Sequence, residues 1–357
     1  EHNGGSPNKF QHKIRVTPDT LISMDAVKII EGLALTARKA ARTLSTATSA
    51  ERKVALLAIA DAIESRSAEI LQANARDIER AKAEDMHPQM QDRLLLTKSR
   101  IDGIANGARL VADLPDPLGQ VLRKSTLANG LDLKQISVPF GVIGMVYEAR
   151  PNVTVDAAVI LLASGNAALL RGSSTAADSN QILVDVMKGA LSTTNISPEV
   201  IQLVPSDDRA TVKALLTARG SVDLVIPRGS AALIRMVVDE ATVPTIETGA
   251  GVCHVYVDEF ADIAKALPIL INSKTHRPSV CNAAETLLVH RAIAPTFLPM
   301  ALKALSDAGV ILHADTTALK VAEKFGVSAT LASEENWSTE YGILEINVGV
   351  VDSLDAA

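Results

Sequence analysis

The chain is short of cysteine, of uninterrupted apolar runs and of positive charge, and each shortage removes a class of protein. With only Cys253 and Cys281 in 357 residues, a framework of structural disulfides is excluded, and a reducing cytoplasm is the simplest setting. No stretch approaches the ~20 apolar residues of a spanning helix. The most apolar run, AAVILLASGNAALL, breaks at Ser164, Gly165 and Asn166 and reads as buried helix, turn and strand. A formal net charge of -6 argues against a nucleic-acid partner. Two phosphate-binding fingerprints are also missing, since no G-x-G-x-x-G follows a strand-like segment and no G-x-x-x-x-G-K-[ST] occurs. The seven histidines, at 2, 12, 87, 254, 276, 290 and 313, show no paired spacing with Cys, Asp or Glu suited to zinc. No metal is expected.

What is present points to a large core. A hydrophobic content of 47% over 357 residues predicts two domains, because single cores stop growing near ~250 to 300 residues. Residues 1–23 lack periodicity and any signal-peptide core, so they read as a loosely ordered leader. Helical periodicity then runs from Met24 to about Ala112. Thr48 and Glu51 form a capping-box pattern ahead of Leu56, Ile59, Ala60 and Ile63, which share one face. Pro115, Pro117 and Gly119 mark a loop, and LRKSTLANGLDLKQISV reads as a hairpin turning at Asn129 and Gly130. Beyond Pro139, the apolar segments FGVIGMVYE, AALLRG, VIQLVP and VDLVIPR alternate with helical runs, the pattern of a doubly wound α/β sheet. Such sheets host many functions, so the fold alone leaves the ligand open.

The chemistry is concentrated near Cys281, in INSKTHRPSVCNAAETLLVH. The thiolate is the nucleophilic form of cysteine, and Lys274, His276 and Arg277 would stabilise it if the fold brings them close. A small buried hydrophobe is the other reading, as for most unpaired cysteines. Cys253, in the alternating segment VCHVYVD, reads as strand packing. A second local feature is the passage from VDLVIP through Arg228, Gly229 and Ser230 into AALIRMVVDEA, where Ser230 is either a plain helix cap or part of an anion site at a helix start.

These segments, with VPFGVIGMVYEARPNVTVDAAVILLASGNAALLRGSS, resemble the gamma-glutamyl phosphate reductases (glutamate-5-semialdehyde dehydrogenases) of the aldehyde dehydrogenase superfamily, from about Asp25 to the last residue. The resemblance implies an aldehyde dehydrogenase-like α/β fold, with a doubly wound Rossmann-type cofactor domain and an α/β catalytic domain. On that frame residues 24–246 bind the cofactor, interrupted at about 121–138 by a β-hairpin arm that contributes to oligomers. Residues 247–357 are the catalytic domain. The family continues past Ala357, which stands within an expected helix start, VDSLDAA, so the chain is expected to be C-terminally truncated.

The resemblance also assigns roles. Cys281 becomes the nucleophile, and Asn152 donates its amide to the oxyanion, although Asn after Pro also suits a turn or helix cap. Glu247 aligns with the glutamate that activates water in hydrolytic relatives, while a solvated strand-end carboxylate is the alternative. Gly229 and Ser230 take the cofactor pyrophosphate, and Glu340 holds nicotinamide ribose hydroxyls. Arg171, followed by Gly172 and Ser173, stands where the superfamily carries a lysine. Its guanidinium either grips a 2'-phosphate, favouring NADPH over NADH, or caps strand carbonyls. Arg150, Lys274 and Arg277 are expected to include at least one contact to a substrate anion, with ordinary ion pairs as the other reading.

The implied reaction is NADPH-dependent reduction of L-glutamyl 5-phosphate to L-glutamate 5-semialdehyde through a cysteine thioester, in proline biosynthesis. A hydrolytic aldehyde dehydrogenase and a catalytically silent fragment are the alternatives. A homo-oligomer and an association with the glutamate kinase that makes the labile substrate follow from the same resemblance.

Overall fold

A computed structural model describes residues 23–247 and 251–357, the side chains of Gln89 and Ala231 excepted. The expected leader therefore lies outside the described residues apart from Ser23. The described residues form two compact units, divided in sequence between 248 and 249. Among them, no helix is long and apolar enough to cross a membrane.

The first unit begins with helices α1 (Met24–Leu44), α2 (Ser49–Ser65), α3 (Ser67–Ala83), α4 (Pro88–Leu94) and α5 (Lys98–Ala112). The capping box is formed: the Thr48 hydroxyl accepts the Glu51 N–H at 3.2 Å, and the Glu51 carboxylate accepts the Thr48 N–H at 2.8 Å. Leu56, Ile59, Ala60 and Ile63 are all buried, as their shared face requires. Strands β1 (Val121–Thr126) and β2 (Asp132–Ile136) pair antiparallel, and Gly130 takes a φ of 86° at the turn, where a side chain would be strained. Leu122, Leu131, Leu133, Val138 and Phe140, on and beside this hairpin, each remain more than half exposed.

The rest of the unit alternates β3 (Val142–Tyr147), α6 (Pro151–Ala163), β4 (Ala167–Arg171), α7 (Ala177–Leu191), β5 (Ile201–Leu203), α8 (Ala210–Thr217), β6 (Leu224–Arg228) and α9 (Ala231–Glu240). The strands pair in parallel in the order β5-β4-β3-β6. Every residue of β3 and β4 is buried, which explains their apolar character up to Arg171. The chain steps outward from β3 to β5 and then returns to pair β6 on the other side of β3. This reversal makes the carboxyl ends of β3 and β6 a topological switch point, the position at which open α/β sheets take ligands.

Asp223 ties three parts of this unit together. Its carboxylate accepts two hydrogen bonds from Arg38 of α1, at 2.6 and 3.0 Å, and one from the Val142 N–H at 2.7 Å. Gly141, at a φ of 125°, leaves room for that carboxylate.

The second unit contains β7 (Cys253–Val257), α10 (Ile263–Thr275), β8 (Ala284–His290), α11 (Ala294–Asp307), β9 (Ile311–Ala314), α12 (Thr316–Lys324), β10 (Thr330–Leu331) and β11 (Glu345–Val351). Its sheet is parallel, in the order β10-β9-β11-β8-β7. Phe297, Leu298 and Leu302 of α11 pack with Leu287, Val289, Ile346 and Val348 in its core. The segment VDSLDAA is the one read as a helix start. It leaves β11 in a single turn, with the Ala357 N–H on the Ser353 carbonyl at 3.2 Å.

Replacing Asp223 with Ala orphans the Val142 N–H and releases Arg38. The variant is expected to lose roughly 2 kcal/mol of stability. A urea melt with an unchanged midpoint would contradict this role.

Candidate active site

The carboxyl ends of β3 and β6 meet through two side chains. Ser230 is extended at a φ of -65° and ψ of 158° and caps α9, accepting the Leu233 N–H at 3.4 Å. Its hydroxyl donates to the Glu148 carboxylate at 2.6 Å. A β-carbon on Gly229 would come within 2.7 Å of the Glu148 carboxyl carbon and 2.8 Å of the Leu233 side chain, so the close approach depends on glycine. The helix N-terminus thus faces a carboxylate from its own unit, as the helix dipole favours. Sequence reasoning selected Gly229 and Ser230 but missed Glu148. The signal available was an acidic residue directly after the apolar strand VIGMVY.

At the end of β4, Arg171 is 8% exposed. Its guanidinium donates to the carbonyls of Gly172 at 2.8 Å and of Ser206 and Asp208 at 3.4 Å. Burial, reinforced by Arg209, holds it below the usual arginine range. Gly172 packs against Asn180 and the Tyr147 ring, while Ser173 caps a short turn by accepting the Thr175 N–H at 3.3 Å. Of the two readings of Arg171, the capping of carbonyls is the one drawn in these contacts.

Asn152 lies in the first turn of α6, behind Pro151 and the cap residue Arg150. Its amide donates to Asp156, one turn on, at 2.9 Å. Burial raises the Asp156 carboxyl above its ordinary value, with the Asn152 bond opposing the shift. Arg150 bends the chain between β3 and α6, its N–H on the Glu148 carbonyl at 2.7 Å. Glu247 is exposed at the last described position of this unit.

In the second unit, three chain tips gather at the amino ends of the neighbouring strands β7, β8 and β11. Cys281 is exposed, in a turn just ahead of β8. The Glu340 carboxylate accepts the Gly251 N–H at 2.7 Å. A β-carbon on Gly251 would lie 2.6 Å from the Cys281 carbonyl oxygen, a close approach to backbone that only glycine permits. The Cys253 thiol donates to that same carbonyl at 3.4 Å. Cys281 and Glu340, selected separately from sequence, are thus brought together through Gly251, and Cys253 does more than pack a strand.

The basic residues around Cys281 separate. Arg277 is exposed in the connection that leads to the thiol. Of the three residues expected to include a substrate contact, Lys274 takes the ion-pair reading: its side chain is fully buried and its ammonium donates to Glu285 at 2.7 Å. A cation enclosed in this way is held by its counter-ion and is closed to an incoming anion. Glu285 was missed, although a carboxylate inside the apolar strand AETLLVH was a visible irregularity.

Two outcomes follow. Gly251→Ala should lower turnover at least tenfold by displacing the Cys281 backbone, and unchanged kinetics would contradict the close approach. For Asp156, the raised carboxyl binds its proton more tightly when folded. Its contribution to stability is present at low pH and is lost as pH rises from the ordinary aspartate range through the raised value. Urea melts of Asp156→Asn should lack that decline. An identical pH profile for the variant and the native chain would contradict the shift.

Comparisons with known proteins bear on the family and the fold. The aldehyde dehydrogenase family profile matches residues 22–318. A gamma-glutamyl phosphate reductase of Kineococcus radiotolerans is 54% identical over 321 residues, which is 90% of this chain and 74% of that protein. One of Thermobifida fusca is 51% identical over 338 residues, 95% of this chain and 79% of that protein. Among solved structures, the gamma-glutamyl phosphate reductase of Thermotoga maritima superposes with a TM-score of 0.82 at 40% identity, covering 91% of this chain and 78% of that one. An engineered glycolyl-CoA reductase with bound NADP+ shares the fold, with a TM-score of 0.62 at 18% identity, covering 91% of this chain and 77% of that one. With the cysteine, glycine and glutamate tips in place and relatives of this identity over most of its length, the chain belongs to the aldehyde dehydrogenase family and, within it, to the gamma-glutamyl phosphate reductases.

Proposed function

We propose that the chain reduces L-glutamyl 5-phosphate to L-glutamate 5-semialdehyde with release of phosphate, a step of proline biosynthesis, and that it uses NADPH. The observation that carries the reading is 54% identity to a named gamma-glutamyl phosphate reductase across 90% of the chain. An exposed thiol at Cys281, in a turn beside Arg277, supports it.

The Cys281 thiolate adds to the acyl phosphate carbonyl. A C–S bond forms, the bond from carbon to the phosphate oxygen breaks, and phosphate leaves with the electron pair, so the acyl group remains as a thioester. The Cys281 peptide N–H and the Asn152 carboxamide are the proposed donors to the oxyanion, and the latter must turn away from Asp156 to serve. A nicotinamide, when bound, supplies the hydride that brings the acyl carbon to the aldehyde level. Cys281 then acts as leaving group, its C–S bond breaking as the aldehyde forms. Arg150 and Arg277 are the proposed contacts to the phosphate and α-carboxylate. Glu247 keeps a proposed place in the site, where water activation would make hydrolysis a side reaction.

Aldehyde dehydrogenases use a nicotinamide dinucleotide, and the donor set at the β3 and β6 carboxyl ends suits its anionic part. The Ser230 hydroxyl already donates to a carboxylate there. Gly229, Ser230, Gly172, Ser173 and Arg171 are the proposed cofactor contacts in the first unit, with Glu340 in the second. The preference for NADPH rests on Arg171, which would exchange its carbonyl partners for a 2'-phosphate. A cytoplasmic location and an association with the kinase that makes the labile acyl phosphate belong to the same reading. Homo-oligomerisation through the hairpin is proposed from the exposed apolar side chains along β1 and β2.

Reduction of NADP+ with glutamate semialdehyde, followed at the nicotinamide absorbance band, should require phosphate or arsenate and should vanish in Cys281→Ser. Phosphate-independent turnover would point instead to the hydrolytic reaction. For the arm, Leu122→Glu with Leu133→Glu should convert the oligomer to monomers in light scattering. An unchanged mass would contradict assembly through the hairpin.

A further inference from the structure

Glu285 is one of the buried charged groups that the proposed reaction leaves without a task. It is the second residue of β8 and is 1% exposed. Its two carboxylate oxygens are divided between different parts of the second unit. One accepts from the Lys274 ammonium at 2.7 Å, the other from the Gly342 N–H at 3.2 Å. Lys274 stands in the last turn of α10, where the chain leaves for Cys281, and Glu285 stands where the chain has just passed it. The connection that carries the nucleophile is therefore pinned at both ends by one ion pair. Between the pins it is held by short turns, the Val280 N–H on Arg277 and the Ala283 N–H on Val280, at 3.3 and 3.0 Å.

The second oxygen reaches a different functional segment. Gly342, at a φ of 64°, stands two residues after Glu340, and Glu340 holds Gly251, which lies against the Cys281 carbonyl. A closed circuit results, running from Glu285 through Gly342 and Glu340 to Gly251 and Cys281, and back along the chain to Glu285. Packing alone does not need a charge here, since burying an ion pair is seldom more favourable than burying apolar side chains of similar volume. What the pair supplies is direction: a carboxylate with two fixed donors sets two backbones at one distance.

We propose that Glu285 and Lys274 are a positioning pair, which sets the turn bearing Cys281 in register with the turn bearing Glu340. Neither residue touches substrate or cofactor. The inference rests on the reading of Cys281 as nucleophile and Glu340 as cofactor ligand, and its test includes a measurement that does not depend on turnover.

Two double variants divide the function of the carboxylate. Lys274→Met with Glu285→Gln keeps a carbonyl acceptor for the Gly342 N–H but cuts the tie to α10. Lys274→Met with Glu285→Met removes both ties while filling the volume, and so avoids an uncompensated buried charge. Both are expected to melt cooperatively. The first should shift the pH profile of iodoacetamide alkylation at Cys281 and reduce kcat at least tenfold, with NADP+ affinity by titration calorimetry within twofold of the native chain. The second should show the same losses and also weaken NADP+ binding at least fivefold. Alkylation profiles, kcat and NADP+ affinity all within twofold of native in both folded variants would overturn the proposal. If the native chain showed no phosphate-dependent turnover, the reaction itself would be refuted, while alkylation would still decide whether the pair positions the thiol.

Discussion

Parallel strand pairing is the constraint on which the rest depends. In a parallel sheet every strand points the same way, so the segments that enter strands collect at one edge and those that leave collect at the other. Each unit uses one of these edges. In the first, Glu148, Gly172, Ser173, Gly229 and Ser230 all follow strands and share the carboxyl edge of β4, β3 and β6. In the second, Gly251, Cys281 and Glu340 all precede strands and share the amino edge of β7, β8 and β11. Residues far apart in sequence become neighbours because their strands are neighbours.

Glycine and buried charge refine what the sheets bring together. Gly229 and Gly251 each sit where a β-carbon would strike a functional group, Glu148 in one case and the Cys281 carbonyl in the other. At both positions an added β-carbon would come within 3 Å of that group, so the close packing depends on glycine. Asp223 and Glu285 act as carboxylate junctions, each joining a basic side chain to a backbone N–H on another element. Their charge gives the backbones fixed partners, which apolar packing does not provide.

Much of this was legible in the sequence, and the reasons are local. The capping box at Thr48, the turn at Gly130 and the alternation of apolar strands with helices follow from short-range geometry, and the structure repeats them. Cys281, Gly229, Ser230 and Glu340 were selected through motif resemblance. What stayed hidden was which side chains the folded elements turn toward one another. Nothing near Lys274 in sequence announces that its ammonium is enclosed by Glu285, because the partner is set by how α10 folds against β8. Likewise, Asn152 reads as an amide facing a ligand until the first turn of α6 brings Asp156 beneath it.

The central claim is that acyl transfer passes through the sulfur of Cys281. Incubating the chain with glutamate semialdehyde and NADP+ in the absence of phosphate should halt the cycle after thioester formation. Mass spectrometry of the digested protein should then find a γ-glutamyl group on the peptide containing Cys281, removable by hydroxylamine. Turnover that resumes on adding phosphate, with no adduct ever found on that peptide, would contradict the account.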